Sequence, residues 1–380
     1  MPADHTILST VETPRVLLDY DRLVANIRWM QQIADTHGVA LRPHIKTHKC
    51  LEIARLQMEA GAVGITAAKT EEALKFMADG IRSVTLAHPL VSAVKIDRLL
   101  TAARTHGTEL RFIVDSMTGI QAMATAARRH QTTLHLFLKI DVGLHRCGVR
   151  EEDPRLLPLV RRIEEDPSLR FVGLLSHAGH AYGAKDREGV RAVAREECAI
   201  LNRVRQRLEE AGIRVAEVSV GSTPTAIASD AYEGITEMRP GNYVFLDRMP
   251  LGLGLIDRSQ IALSVLAMVV SANDEYLIID AGSKVLSSDL GPHGMQGIEG
   301  YGVAYPVADF DSGKNGLTVV RLSEEHGFLR RNGFDLPVGS LVRILPNHAC
   351  VVANLADHYL VLGKEATPVQ WPVVARALVR

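Results

Sequence analysis

The chain has 380 residues, 47% of them hydrophobic and 23% charged, and its 43 basic and 44 acidic side chains leave a formal charge of −1. That composition excludes a disordered chain, and the length allows two to three ordinary domains or one large barrel with a smaller partner. The charge balance offers no electrostatic footprint for nucleic acid or an anionic membrane, and the longest near-apolar run, residues 261–270, is too short for the roughly 20 residues of a membrane helix.

From residue 14 to about 240, β-branched runs alternate with segments of helical period. The strand candidates are residues 16–20, 40–43, 64–66, 83–86, 110–114, 134–140, 171–175 and 215–220, with helical patterns at 21–36, 50–60, 70–78, 91–105 and 185–211. Eight β-then-α units in about 225 residues are the count and size of a TIM (β/α)8 barrel. The alternative is an open doubly wound sheet, whose dinucleotide fingerprint fails: Gly252-x-Gly254 meets Asp257 where a third glycine belongs. Beyond residue 255 the candidates are strands at 263–271, 275–280, 316–321, 340–345 and 358–362, separated by Gly, Pro, Asn and Asp turns. The expected division is an α/β barrel over 12–250 and an all-β domain over 251–380, with residues 1–11 packing with the latter.

Cys50, Cys147, Cys198 and Cys350 form no C-x-x-C pair, which excludes a zinc ribbon, a thioredoxin motif and a dense disulfide scaffold. Each reads as a free thiol, by default a small buried hydrophobe. No basic segment feeding an apolar one opens the sequence, and a cytoplasmic location is expected.

The densest set of functional groups is Arg42-Pro-His-Ile-Lys-Thr-His-Lys49, directly after the second strand candidate. The C-terminal ends of barrel strands are where such folds keep their active sites. On an extended backbone of period two, His44 and Lys46 would leave one face together. A partly desolvated lysine among cations suits a Schiff base with a carbonyl, and pyridoxal phosphate is the obvious one. That cofactor needs amide donors for its phosphate, and two turns after later strands offer them: Gly221-Ser222-Thr223-Pro-Thr225 and Gly241-Asn242-Tyr243.

With Asp141-Val-Gly-Leu-His-Arg-Cys-Gly148, Asp280-Ala-Gly282, Glu325-His-Gly327 and Pro346-Asn-His-Ala-Cys350, these motifs make the chain resemble the fold-type III pyridoxal-phosphate enzymes. Within them it is similar to the metal-dependent D-serine dehydratase and D-threonine aldolase branch, related to alanine racemases, over residues 12–365. The resemblance implies Lys46 as the Schiff-base lysine and Arg146 on a ring oxygen of the cofactor. Gly221, Ser222, Thr223, Gly241 and Asn242 would hold the phosphate, with Tyr243 close by. His177 falls where many relatives carry a tyrosine near the pyridine nitrogen. It also implies a homodimer, with sites between one barrel and the other subunit's β domain.

His348-x-Cys350 reads as a metal pair, the two side chains projecting from one face of an extended segment between strands. Imidazole and thiolate together favour Zn2+, with Mn2+ or Mg2+ better suited to carboxylate sites. Within the resemblance, aldolases often show His-x-Asp here and dehydratases His-x-Cys. Asp280 and Glu325 are candidates to orient other groups or face substrate, and His48, His145, His180 and His326 lie in or near motif loops. The expected activity is a lyase acting on 3-hydroxy-D-amino acids, with Lys46 and His348 catalytic. Dehydration of D-serine or D-threo-3-hydroxyaspartate to a 2-oxo acid and ammonia comes first, D-threonine aldolase is the alternative, and a racemase or a non-catalytic carrier follow.

Overall fold

A computed structural model describes residues 5–291 and 298–380. The first strand, β1 (Arg15–Asp19), stands apart from the eight that follow: β2 (Ala40–Leu41), β3 (Ile65–Ala67), β4 (Ser83–Leu86), β5 (Glu109–Val114), β6 (Leu134–Lys139), β7 (Leu169–Leu175), β8 (Glu217–Val220) and β9 (Glu237–Met238). These eight pair in parallel in the order β2-β9-β8-β7-β6-β5-β4-β3. Hydrogen bonds from Val63 N to Leu41 O (2.9 Å), Thr66 N to Pro43 O (2.8 Å) and Ile45 N to Thr66 O (2.9 Å) join the two outer strands and close the barrel. Helices with one apolar stripe pack around it. In Tyr20–Thr36, Asp19 caps the first turn by accepting from Arg22 N, and Leu23, Ile27, Met30 and Ala34 face inward at three- and four-residue spacing.

The second sheet holds β10 (Leu263–Ala272), β11 (Tyr276–Ile279), β12 (Gly302–Pro306), β13 (Leu317–Leu322), β14 (Gly327–Arg330), β15 (Leu341–Pro346), β16 (His358–Leu362) and β17 (Val369–Pro372), with β1 among them. Two expectations about strands change here. Residues 16–20, read as the first barrel strand, pair antiparallel with β10 and parallel with β16. A short apolar run buried on both faces reads alike in either sheet, and only its ladder partners tell them apart. The barrel's true eighth strand is β9, two residues whose brevity leaves no period to detect. Leu8, ahead of β1, is buried against Leu17, Leu266 and Leu360, while residues 1–4 of the expected N-terminal packing segment lie outside the described residues.

The barrel interior is not purely apolar. Glu237 of β9 accepts from Arg42 Nε (2.6 Å), Arg111 Nη1 (3.2 Å) and Ser219 Oγ (2.6 Å), and Arg111 also reaches Glu217. Burial works to raise the Glu237 pKa, but the two guanidinium groups outweigh it and hold the carboxyl below its ordinary value. Removing one member of such a buried set leaves the others charged and unpaired, at a cost of about 3–5 kcal/mol. We expect Glu237→Gln to lower the unfolding free energy by that amount in urea titration; a loss under about 1 kcal/mol would show that the arginines find other partners. Because the folded-state pKa is depressed, this stabilisation is complete above about pH 4.3 and is lost as pH falls through the lower folded value.

Candidate active site

Loops at the C-terminal ends of the barrel strands converge on one pocket, and the second domain completes its wall. After β2 come His44, Lys46 and Thr47; after β7, His177 and Tyr182. Ser222 and Thr223 follow β8, and Arg239, Gly241 and Asn242 follow β9. From the second domain come His348 and Cys350. The space between them, mouth included, is about 460 Å³.

The Lys46 loop differs from the extended segment expected. Parallel pairing ends at His44, which bridges Thr66, and a tight turn follows in which His48 N and Lys49 N both donate to Ile45 O (3.2 and 2.8 Å). The turn, not a period of two, returns Lys46 to the pocket beside His44, with Ile45 fully buried behind. Burial lowers the Lys46 pKa, with Arg146 and Arg239 adding to the shift and Cys350 and Glu72 opposing it. The same burial, with Lys46, Arg239 and Arg146 nearby, pushes His44 well below its ordinary value.

His177 is lowered well below its ordinary value by burial and by Lys46, Lys139 and Arg146. Its Nδ1 lies against the Gly221 carbonyl, which can only accept, so Nδ1 carries the proton and Nε2 is an acceptor. Ser222 caps the short helix Thr223–Ala228 through a reciprocal pair with Thr225. Thr223 N, at the start of a helix whose second residue is Pro224, and the first N–H groups of the 3-10 turn Asn242–Val244 have no partner within their own helices. Thr223 Oγ1 is buried beside Tyr182 at the pocket wall. The backbone donors, this hydroxyl and the nearby cations fit a phosphate group, and a desolvated lysine fits the aldehyde of pyridoxal phosphate.

His348 and Cys350 sit where β15 gives way to a helix, Ala349–Leu355, in place of the strand-to-strand link expected. His348 is the extended N-cap residue and Cys350 lies in the first turn. Cys350 Sγ lies 3.2 Å from Thr47 Oγ1, so the helix meets the Lys46 loop directly. Burial works to raise the Cys350 pKa, but His348, Thr47 and Lys46 hold it below the usual thiol range. Burial likewise works against His348, yet Cys350 and Asp247 lift it well above the ordinary imidazole value. A thiol whose thiolate form is favoured, beside an imidazole, fits a soft divalent ion such as zinc. Among the described residues no group of three or more His, Cys, Asp or Glu could hold a metal, so an ion on this pair would keep open positions.

Other expected residues fall elsewhere. Arg146 is exposed outside the pocket wall, though near enough to lower Lys46, His44 and His177. Gly221 places its carbonyl on His177, while Tyr243 is fully buried with its hydroxyl accepting from Gln57 Nε2 (2.8 Å), away from the pocket. His48 is buried beneath the loop, where its Nδ1 accepts from Cys50 N. His145 pairs with Asp141, with His180 beside them, and His326 is exposed. Asp280 accepts from Thr13 and Met268 N, and Glu325 forms an exposed pair with Lys284, so neither orients this site. Sequence reasoning missed Tyr182 and Asp247. The available signals were a glycine-bounded Gly179–Gly183 turn and an aspartate before Arg-Met-Pro, an N-cap pattern.

Gly241 is the tightest backbone approach in the pocket. A Cβ there would lie 2.8 Å from both His44 O and Thr47 Oγ1. Gly241→Ala therefore has to push the Lys46 loop away from the phosphate donors. Pyridoxal-phosphate affinity, read by absorbance titration, is expected to fall roughly tenfold or more. Unchanged affinity would place the phosphate elsewhere.

The chain matches the family described as alanine racemase, N-terminal domain, over residues 18–249 and the putative serine dehydratase domain over residues 262–362. It is 36% identical to the D-threo-3-hydroxyaspartate dehydratase of Delftia sp. (strain HT23) over 96% of this chain and 97% of that one. The solved structure of that enzyme superposes with a TM-score of 0.89 at 34% identity, covering 96% of this chain and 98% of that chain. A D-threo-3-hydroxyaspartate dehydratase variant solved in the metal-free form gives the same TM-score, identity and coverage. Identity to the D-threonine aldolase of Arthrobacter sp. is 32% over 98% of this chain and 95% of that one. Matched from end to end in both its barrel and its β domain, the chain belongs to the alanine-racemase-like lyases that carry a D-serine dehydratase domain.

Proposed function

We propose that this lyase is a pyridoxal-phosphate- and zinc-dependent dehydratase of 3-hydroxy-D-amino acids, taking D-serine to pyruvate or D-threo-3-hydroxyaspartate to oxaloacetate, with release of ammonia. The observation that carries it is the convergence of Lys46 with His348 and Cys350 on one pocket. The dehydratase relative, one solved form of which is described as metal-free, supports both the substrate class and a metal. Bound there, pyridoxal phosphate supplies an electron sink for Cα, and zinc supplies a Lewis acid for the β-hydroxyl.

The chain's own residues have distinct tasks in this scheme. Lys46 would hold the cofactor covalently through Nζ, with Ser222, Thr223, Gly241 and Asn242 around its phosphate, Arg146 toward a ring oxygen and His177 toward the pyridine nitrogen. Burial lowers the Lys46 pKa and so favours the neutral amine, the form in which Nζ could accept the Cα proton. His348 and Cys350 would hold the metal at the β-hydroxyl. Tyr182, buried and steeply inclined to the His348 ring at 6.5 Å between centroids, walls this side of the pocket.

A D-threonine aldolase would use the same groups to break Cα–Cβ, and the Arthrobacter relative supports that second reading. Cysteine at position 350, a softer ligand than the aspartate frequent in aldolases, favours dehydration. The proposal includes a cytoplasmic homodimer. Four free thiols suit a reducing compartment, and exposed Val91, Val94 and Met117 beside the barrel mouth offer apolar surface for a second copy.

The test is a product assay on D-serine, D-threonine and both D-configured 3-hydroxyaspartates, with and without a chelator. We expect 2-oxo acid and ammonia, lost on chelation and restored by zinc. Glycine with an aldehyde would make the chain an aldolase, and full activity after chelation would remove the metal from the scheme. Lys46→Ala should abolish the lysine-bound cofactor absorbance, and its survival would refute that assignment.

A further inference from the structure

Asp247 is fully buried, does not line the pocket, and has no task in the reaction as described. A carboxylate in such a place is costly unless its oxygens are satisfied. Here they collect four donors. Oδ1 accepts from Met249 N (3.0 Å), and Oδ2 from Asn242 Nδ2 (2.8 Å), Ala349 N (2.8 Å) and His348 Nδ1 (3.2 Å).

Apart from Met249, which lies in the helix that Asp247 caps, those donors come from two separate parts of the site. Asn242 belongs to the turn after β9 that would hold phosphate, Ala349 opens the helix that carries Cys350, and His348 is the other metal candidate. Because a carboxylate can only accept, the contact requires a proton on His348 Nδ1, so Nε2 is the ring nitrogen a metal would take. The bond to Ala349 N fixes the helix start and, through it, the position of Cys350 relative to the imidazole.

We propose that Asp247 is the positioning residue of the metal pair, holding His348 in the tautomer that offers Nε2 and clamping the Cys350 helix to the Asn242 turn. The inference rests on the assignment of zinc to His348 and Cys350. An asparagine could not replace it, since one amide oxygen cannot serve both the Met249 donor and the three on the opposite side, and its NH2 would face donors.

The test titrates zinc against a chromophoric chelator on cofactor-loaded wild type, Asp247→Asn and His348→Ala. Asp247→Asn should bind zinc about 10- to 100-fold more weakly while keeping its lysine-bound cofactor absorbance, in line with the loss of a partner that orients a ligand. A lower melting temperature with unchanged zinc affinity would overturn the proposal, because a purely structural carboxylate predicts that result. Stoichiometric zinc on wild type that His348→Ala loses keeps the metal assignment standing in that case. If wild type holds no zinc, the assignment and the inference fall together. Nitrogen-15 NMR of histidine-labelled, zinc-loaded wild type needs no variant to fold: a proton on His348 Nδ1 with zinc on Nε2 is expected, and zinc on Nδ1 overturns the proposal.

Discussion

The geometry of the site depends on one buried ion pair at the joint between the two domains. Lys49, 4% exposed, sends Nζ to Glu72 Oε1 (3.3 Å) and to Asn354 Oδ1 (2.6 Å). Glu72 belongs to a barrel helix and also accepts from Ala68 N and Lys69 N; Asn354 lies on the helix that carries Cys350. One ammonium thus holds the Lys46 loop, a barrel helix and the second domain in a single register. Tyr359 adds a hydrogen bond from its hydroxyl to His48 O, and Lys49 adopts a left-handed backbone (φ 49°) that only surrounding contacts of this kind maintain. Without that joint, Thr47 and Cys350 would have no reason to meet.

A second constraint is electrostatic. The chain is nearly neutral overall, yet Lys46, Arg239, His44, His177 and His348 line the pocket, with Lys139 and Arg146 near enough to act on them. Burial, with Arg239 and Arg146 adding to it and Cys147 and Glu197 opposing, brings Lys139 down to about 7, and burial brings Arg239 down to about 10. Burial thus shifts these nitrogen bases toward their neutral forms, and a bound dianion would offset the charge that remains. Three arginines around the site are accounted for inside the chain. Arg42 serves Glu237, Arg239 bonds Ser219 and the Ser176 carbonyl, and Arg248 bonds the Glu299 carbonyl and Asn347.

Much of this was legible in the amino-acid order, and what was not shares a physical cause. Long amphipathic helices such as Arg187–Glu210 and the core strands β5, β6 and β7 carry enough period to be found, and the Lys46, Gly221 and Gly241 turns carry their chemistry in residue type. A two-residue strand such as β9 has no period. β1 has one compatible with either sheet, and its partners lie some 250 to 345 residues away. Asp247 escaped because a buried carboxylate is defined by the donors around it, and His348, Ala349 and Asn242 come together only in the folded chain.

The displaced first strand also bears on the order of events during synthesis. β1 lies between β10 and β16, so both its neighbours belong to the last third of the chain. At about 5–20 residues per second, β16 emerges roughly 17 to 70 s after β1. Until β10 is made, the growing barrel's N-terminal strand, Val16-Leu-Leu, has no sheet to join and both edges open, and one edge stays open until β16 follows. The second domain therefore follows the barrel in sequence but cannot be completed without β1, and the nascent chain must shelter that apolar segment until β16 is made.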